Sequence, residues 1–277
     1  MLYSTKPQEK YKSKGSDGVY RFLLRRTFQL QFQYRGNMWM SMLGSILRVY
    51  IQVCVWTALL SAGAVSGVTL PEMITYTLLS FGVGVLTNFG ASRTFTEKVS
   101  DGSIAIDFIR PINLRNYMLS EQMSENVFSL CFNGAPIMII AAIVWGIQAP
   151  TFLNLGLFLV SMCLGVLLMF IYDYIFGIMS FWIKGAVASD MIANSLFTIF
   201  SGAVIPLWFY PEWLANICTY LPFRLISFEP IAIFLGKYDV QHCLVIIGLQ
   251  ILWICALFLA ERAIWKKLQD AICVQGG

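Results

Sequence analysis

Six long apolar runs determine what this chain can fold into, because each is long enough to cross a lipid bilayer. A hydrocarbon core of about 30 Å requires roughly 20 residues of α-helix. Charged residues make up 12% of the chain, against about 25% in soluble proteins. The sequence therefore predicts an all-α membrane protein with six transmembrane helices, at 38–62, 70–92, 122–147, 151–179, 187–207 and 241–263.

The lysines and arginines indicate how these helices are oriented. Those on one side of a six-span chain are Lys6, Lys10, Lys12, Lys14, Arg21, Arg25, Arg26, Arg35, Arg93, Lys98, Arg110, Arg115, Lys184, Arg262, Lys266 and Lys267. Only Arg224 and Lys237 fall on the other side. Because cytoplasmic loops carry the excess of lysine and arginine, we expect both termini and the polar stretch at 93–121 to be cytoplasmic. The predicted domains are a tail with an interfacial helix at 1–37, a six-span domain at 38–263 and a cytoplasmic tail at 264–277.

The segment before the first run is basic and amphipathic. Apolar and basic residues alternate at helical spacing between Tyr20 and Gln29. The first run begins too late, and after too many charges, for a cleaved secretory signal. An amphipathic helix lying in the cytoplasmic interface and a simple anchor to anionic lipids both fit this pattern, and membrane lipid is a partner in either case.

The polar stretch at 93–121 contains a short helical pattern of its own. Ile104, Ala105, Phe108 and Ile109 would share one helical face, and the helix would stop before Pro111. A plain connecting loop needs neither feature. The pattern favours a helix that docks on another protein or rests on the membrane surface.

A second unusual stretch, residues 205–239, follows the fifth run and is named the outer segment below. It is apolar and aromatic, yet proline at Pro206, Pro211, Pro222 and Pro230 would break any single helix. Its tryptophans, Trp208 and Trp213, suit the outer membrane interface. We expect short helices that dip back into the outer leaflet; an interfacial loop without a transport role is the alternative.

The sequence offers little for catalysis. The seven cysteines are scattered, the single histidine is His242, and no phosphate-binding loop is present. Cys218 and Cys243 are the one pair that could meet on the outer side as a disulfide. We therefore expect neither enzymatic activity nor a metal site, and any ATP that drives this protein must be hydrolysed by another chain.

Two charges lie inside the predicted spans, where a charge costs several kcal/mol. They are Arg48 in the first span and Asp173 in the fourth. They could pair with each other or line a polar cavity, and Arg48 could instead reach the nearer interface. Asp173 has less room to escape, so we expect it to be the more functional of the two.

The polar stretch resembles the cytoplasmic coupling segment of type-2 ABC exporter permeases. The residues that match that pattern in order are Gly102, Ile104, Phe108, Ile109, Arg110, Pro111, Ile112 and Asn113. The stretch SGAVIPLWFYPEWL, followed by LPF and EP, is similar to the re-entrant stretch before the last span of that family. With the six spans and the amphipathic leader, the resemblance covers nearly the whole chain. Residues 93–121 are named the coupling segment below.

This resemblance implies a half-transporter in a bacterial-type plasma membrane. Such a permease pairs with a second permease, identical or related, and with two cytoplasmic ATP-binding subunits that hold ATP and Mg, while this chain binds no cofactor and no nucleic acid. A short helix of the coupling segment would sit in a cleft of an ATPase and act as a lever. The residues implied for this contact are Glu97, Asp101, Gly102, Ile104, Asp107, Phe108, Arg110 and Pro111.

The resemblance implies export. A cavity between two permeases lined by aromatic, methionine and small residues suits a lipophilic or amphipathic substrate, such as a drug, an antimicrobial peptide or a lipid-like molecule, although core packing would use the same residues. Sparse charge on the spans argues against a strongly ionic solute. A membrane-embedded immunity or sensory protein that binds a peptide without moving it is the main alternative. A secondary transporter is disfavoured, because no internal repeat or pair of interrupted helices is evident in the two halves.

Overall fold

The structure, a computed structural model, describes residues 35–63, 67–102, 114–183 and 186–275. The amphipathic leader and several coupling residues, Ile104, Asp107, Phe108, Arg110 and Pro111, lie outside these ranges. The predictions about them therefore stay predictions. Every regular element in the described ranges is helical.

The regular secondary structure of the described ranges consists of ten α-helices and three shorter helical turns. The α-helices are α1 (Arg35–Ser61), α2 (Leu70–Leu86), α3 (Ala91–Ser100), α4 (Leu114–Ser129), α5 (Ala135–Trp145), α6 (Phe152–Ile183), α7 (Ala186–Phe200), α8 (Glu212–Tyr220), α9 (Phe228–Phe234) and α10 (Val240–Gln275). A π-helix, Leu130–Gly134, joins α4 to α5, and 3₁₀ turns lie at Leu207–Phe209 and Phe223–Leu225.

Five segments of the described chain are long and apolar enough to cross a membrane. They are Trp39–Ser61, Leu70–Phe95, Leu114–Trp145, Phe152–Ser180 and Val240–Leu268. They correspond to five of the six predicted runs, so the all-α architecture is confirmed and five of the predicted spans are long and apolar enough to cross a membrane.

The remaining predicted run, 187–207, differs from expectation. Its helix, α7, ends at Phe200 after 15 residues, which is about 22 Å at 1.5 Å per residue. Gly202 follows with φ 73°, a left-handed backbone that ends a helix, and Pro206 lies just beyond. The predicted end at 207 was therefore wrong, and the six-span layout stays a prediction.

Helix α6 forms the centre of the fold. It packs against α3, α7, α9 and α10, and its side chains at Leu168, Tyr174 and Ile178 are at most 1% exposed. By contrast, α1 and α10 carry rows of exposed apolar residues, which suit contact with lipid. Such residues include Leu43, Leu47, Ile51, Leu244, Ile251 and Leu259.

Glycine allows the closest approach between α6 and the outer segment, and this contact can be tested. A Cβ added at Gly165 would lie 2.9 Å from the carbonyl oxygen of Ile226, whereas one added at Gly156 would meet nothing within 4 Å. We expect Gly165→Ala to lower the free energy of unfolding by about 1–3 kcal/mol through overpacking. Gly156→Ala, on the same helix, is the matched control and is expected to be neutral or slightly stabilising.

Thermal unfolding in mild detergent, followed by tryptophan fluorescence, measures this difference. The eight tryptophans supply the signal. Equal unfolding temperatures for the Gly165→Ala and Gly156→Ala variants would contradict the close approach.

Candidate functional site

An interruption between α2 and α3 exposes backbone groups within a segment apolar enough to span the membrane. Helix α2 ends at Leu86, and α3 begins at Ala91. Non-helical backbone is tolerated at membrane depth only where protein or a polar cavity satisfies it. The side-chain amide of Asn126 on α4 donates to the Leu86 carbonyl at 2.9 Å, and the Thr87 hydroxyl donates to the Val83 carbonyl at 2.8 Å. The interruption is thus a stabilised feature of the fold.

Asp173 of α6 caps the helix that begins after this interruption. Its carboxylate accepts hydrogen bonds from the backbone amides of Ala91 at 2.7 Å and Ser92 at 3.3 Å, and its side chain is buried. A carboxylate at a helix N-terminus satisfies otherwise unpaired amides and is favoured by the helix dipole. The Ser92 hydroxyl also donates to Asp190 of α7 at 2.8 Å. Polar contacts therefore join α3 to both α6 and α7.

Close packing reinforces this attachment of α3 to α6. A Cβ added at Gly177 would lie 3.1 Å from the Ala91 carbonyl oxygen and 3.1 Å from the Ser92 Cα, so only glycine fits without a shift. Phe95 is fully buried, with its ring edge-on to Tyr174 at 6.3 Å between centroids. Helix α3 and the adjoining part of α6 therefore form one packed unit.

The far end of the coupling segment is also attached to the bundle. Arg115, near the start of α4, pairs with Glu261 of α10 at 2.9 Å, and its guanidinium lies 4.4 Å from the centre of the Phe258 ring. Both side chains of the ion pair are largely buried. The segment is thus held through α3 on one side and through α4 on the other.

The described coupling residues lie on the surface between these two attachments. Glu97 pairs with Arg93 at 2.9 Å, but both side chains are well exposed, so the pair adds little stability. Asp101 is exposed and follows the last turn of α3, and Gly102 has φ 76°, a conformation that glycine adopts without strain. These residues are accessible to a partner.

A polar cavity of about 470 Å³ lies between α1, α2, α6, α7 and the π-helix. Four polar side chains of α1, Ser41, Ser45, Arg48 and Gln52, form one wall. Their spacing of four, three and four residues places them on one helical face. Thr77 and Ser80 of α2 share a face in the same way and also line the cavity.

The π-helix places an asparagine on the cavity wall. Asn133 lies within Leu130–Gly134 and its amide donates to the Ser41 hydroxyl at 3.2 Å. Its side-chain oxygen is buried without a hydrogen-bond partner in the described structure. Single π-helical turns inside α-helices occur frequently at functional sites. Asn133 is therefore a second candidate binding group beside Arg48.

The chain that follows α7 closes the cavity on another side. The carbonyls of Gly202, Ala203 and Val204 accept hydrogen bonds from the Tyr76 hydroxyl at 2.6 Å, the Ser80 hydroxyl, and the Gln52 amide at 3.0 Å. These contacts satisfy backbone that is not helical. They also connect the residues just before the outer segment directly to the cavity wall.

The structure does not bring the two intramembrane charges together. Asp173 is occupied by the amides of α3, whereas Arg48 lines the cavity. No ion pair joins Arg48 to any residue in the described ranges. The alternative in which the two charges pair is therefore wrong for this structure.

The outer segment consists of short helices, as its prolines predict. Pro206 and Pro211 immediately precede the first 3₁₀ turn and α8, Pro222 precedes the second turn, and Pro230 lies in the first turn of α9. Trp208 packs edge-on against Tyr76 with ring centroids 5.4 Å apart. Trp213, in contrast, is 65% exposed.

Two ion pairs hold the outer segment to itself and to the bundle. Arg224 pairs with the fully buried Glu229 at 2.7 Å, and Lys237 pairs with Glu72 at the start of α2. Cys218 and Cys243 are both buried as free thiols, so the disulfide considered from the sequence is absent here.

The sequence interpretation missed most of the cavity. It singled out Arg48 by its charge, but not Ser45, Gln52 or Asn133. The detectable signal was the polar stripe at 41, 45, 48 and 52 within an apolar helix, which periodicity alone can reveal. Asn133 gave no such signal, because the π-helix shifts it out of α-helical register.

A family model described as ABC-2 family transporter protein matches residues 46–271, which is most of the chain. No curated protein matches the chain.

Proposed function

The chain belongs to the ABC-2 family of transporter proteins, and on this premise we propose that it is the permease subunit of an ATP-driven exporter. It moves a lipophilic or amphipathic substrate out of the cytoplasm or the inner leaflet of a bacterial-type plasma membrane. Both termini are cytoplasmic in this proposal. Two separate ATP-binding subunits bind ATP and Mg, and a second permease, identical or related, completes the membrane domain.

The observation that carries this proposal is the attachment of α3, which forms the start of the coupling segment, to α6 and α7. Asp173 holds the N-terminus of α3, and Gly177 allows its backbone to approach closely. A partner that displaces the coupling segment would therefore displace α6 and α7 with α3. Packed helices respond to such a displacement by shifting as units rather than by bending continuously.

The same movement would reach the polar cavity. Asn88, in the interruption between α2 and α3, and Asn194 of α7 both line it. Displacement of α3 changes the position of these side chains relative to α1. ATP hydrolysis in the partner is thereby coupled to the shape of the cavity.

The coupling residues divide into apolar and polar contacts in this proposal. Ile104 and Phe108 enter the cleft of the ATPase, and charged residues surround them. Gly102 and Pro111 end the short lever. The charged residues are Glu97, Asp101, Asp107 and Arg110.

The outer segment closes the other end of the pathway. The ion pair between Lys237 and Glu72 and the ring contact between Trp208 and Tyr76 hold it against α2. Release of substrate then requires this segment to shift away from the cavity wall.

Co-purification tests the assignment of the subunit. We expect the full chain, tagged and gently solubilised from its native membrane, to retain an ATPase that contains a phosphate-binding loop. Phe108→Asp is expected to reduce that recovery at least tenfold, because a buried aromatic anchor contributes about 2 kcal/mol or more at such interfaces. Mass spectrometry of the retained proteins gives the measurement and also shows whether a second permease is present.

Phe152→Asp provides the matched control for this experiment. Phe152 is 96% exposed at the opposite end of the bundle, so the same substitution there should leave ATPase recovery unchanged. Recovery of the chain alone, with membrane insertion intact, would contradict the subunit assignment and favour a protein that binds peptide without transport.

A further inference from the structure

Arg48 gives the polar cavity an uncompensated positive charge. No other lysine or arginine, and no aspartate or glutamate, lines the part of the cavity that the structure describes. Arg48 lies nine residues beyond Trp39, where the first candidate span begins, or about 14 Å along the helix axis. Charges at such a depth normally pair with another group. Within the described ranges no carboxylate pairs with Arg48.

The same wall carries further hydrogen-bond donors. Amide groups at Asn88 and Asn194 and hydroxyl groups at Ser45 and Thr198 line the cavity. Arginine forms two parallel hydrogen bonds to carboxylate or phosphate oxygens, and amides and hydroxyls donate to the oxygens that remain. The wall therefore matches an anionic group with several acceptor oxygens.

The cavity accommodates a head group rather than a whole lipid. Its volume of about 470 Å³ lies in the lower part of the range of small-molecule pockets. Leu47 and Ile51, on the same helix as Arg48, are more than half exposed and apolar. An apolar tail can therefore lie beside α1 while the head group occupies the cavity.

We propose that this cavity binds the anionic head group of an amphipathic molecule, with Arg48 as the group that recognises its charge. This inference rests on the proposed function, since it specifies the substrate class of the permease. A single arginine balances a single anionic group, so the proposal agrees with the sparse charge of the spans. The anionic molecule is either a transported amphiphile or a membrane lipid.

Binding of two matched fluorescent probes tests the proposal. Pyrenebutyrate and pyrenebutanol share an aromatic tail and differ in the charge of the head group. With the full chain in phosphatidylcholine nanodiscs, and after subtraction of binding to empty nanodiscs, we expect pyrenebutyrate to bind more tightly. We expect Arg48→Gln to weaken its binding at least tenfold, because the substitution removes the charge-assisted hydrogen bonds to the anionic head group, and to leave pyrenebutanol unaffected.

Two further variants separate charge recognition from a structural role of Arg48. Arg48→Lys keeps the charge and should retain most of the preference for pyrenebutyrate, although it loses the two-pronged geometry. Arg262→Gln removes an exposed arginine outside the cavity and should change nothing. Equal affinity of the wild-type chain for both probes, or an equal loss for both in Arg48→Gln, would overturn the proposal.

Nanodiscs that also contain phosphatidylglycerol distinguish a membrane lipid from another amphiphile as the anionic molecule. Phosphatidylglycerol competes with pyrenebutyrate if a membrane lipid occupies the cavity, and it does not if the cavity selects another amphiphile. Probe binding requires no ATPase, so the two proposals can fail separately. Loss of the charge preference while the ATPase still co-purifies would refute only the substrate class, whereas charge preference without any ATPase would refute only the exporter assignment.

Discussion

Replacement of Arg224 by methionine is expected to lower the free energy of unfolding by about 3–5 kcal/mol, the range for removing one partner of a buried ion pair. Glu229 is fully buried, and Arg224 is its partner at 2.7 Å. Methionine fills similar space but supplies no positive charge, so the buried carboxylate loses its ion-pair partner. Tryptophan fluorescence during unfolding in mild detergent measures the loss.

The decrease in the free energy of unfolding caused by Arg224→Met should also depend on pH. Burial raises the pKa of Glu229, and the positive charge of Arg224 opposes that rise. Without Arg224 the pKa of Glu229 rises further, so the folded state holds this proton more tightly than the unfolded chain does. Stability is then present below the unfolded pKa and falls as pH rises through the folded pKa. We expect a smaller deficit for Arg224→Met near pH 4.5 than near pH 8.

The double variant Arg224→Met, Glu229→Gln is the control for this interpretation. It has no carboxylate at position 229, so its stability relative to wild type should lack the pH dependence of the single variant. An equal deficit of Arg224→Met at both pH values would show that lost packing, and not the uncompensated charge of Glu229, causes the effect.

Asp173→Ala is expected to uncouple substrate binding by this chain from ATP hydrolysis by its partner. The substitution removes the acceptor for the amides of Ala91 and Ser92, which costs about 1–2 kcal/mol as the loss of a helix cap. Because α3 is the start of the coupling segment, we also expect substrate-stimulated ATP hydrolysis by the reconstituted complex to fall at least tenfold, which corresponds to about 1.4 kcal/mol of coupling free energy.

Asp173→Asn distinguishes the cap from the charge. Asparagine can still accept a hydrogen bond from the α3 amides, so this variant should retain more coupling than Asp173→Ala. Basal ATP hydrolysis should remain in both variants, because the catalytic groups belong to the partner. Normal substrate stimulation in Asp173→Ala would contradict a role for this cap in coupling.

Most of the helices could be predicted from long apolar runs, because backbone N–H and C=O groups in the hydrocarbon core must be hydrogen-bonded within the protein, and an α-helix achieves this within one segment. The C-terminal boundary of α7 was missed because the residues after Phe200 remain apolar, and apolar composition alone was used to place the end of the run. Gly202 and Pro206, which end the helix, were the sequence signals for the correct boundary. The prolines of the outer segment, in contrast, predicted its division into short helices.

The partners of the intramembrane charges could not be predicted either. Asp173 and Ala91 are 82 positions apart in the chain, and no local pattern indicates that one caps the other. The sequence interpretation expected Asp173 to be the more functional charge. The structure shows instead that Asp173 caps α3 and that Arg48 lies on the cavity wall. Which of the two charges lines a cavity depends on how α1 and α6 pack, and the sequence does not show that packing.

The π-helix at Leu130–Gly134 has a consequence for insertions and deletions. A π-helical turn holds about one residue more than the α-helical turn it replaces, because its hydrogen bonds join residues five apart. Deletion of one residue there would restore α-helical geometry and rotate α4 by about 100° relative to α5. Such a deletion would therefore change which side chains of this segment face the cavity, while the sequences of α4 and α5 stay the same.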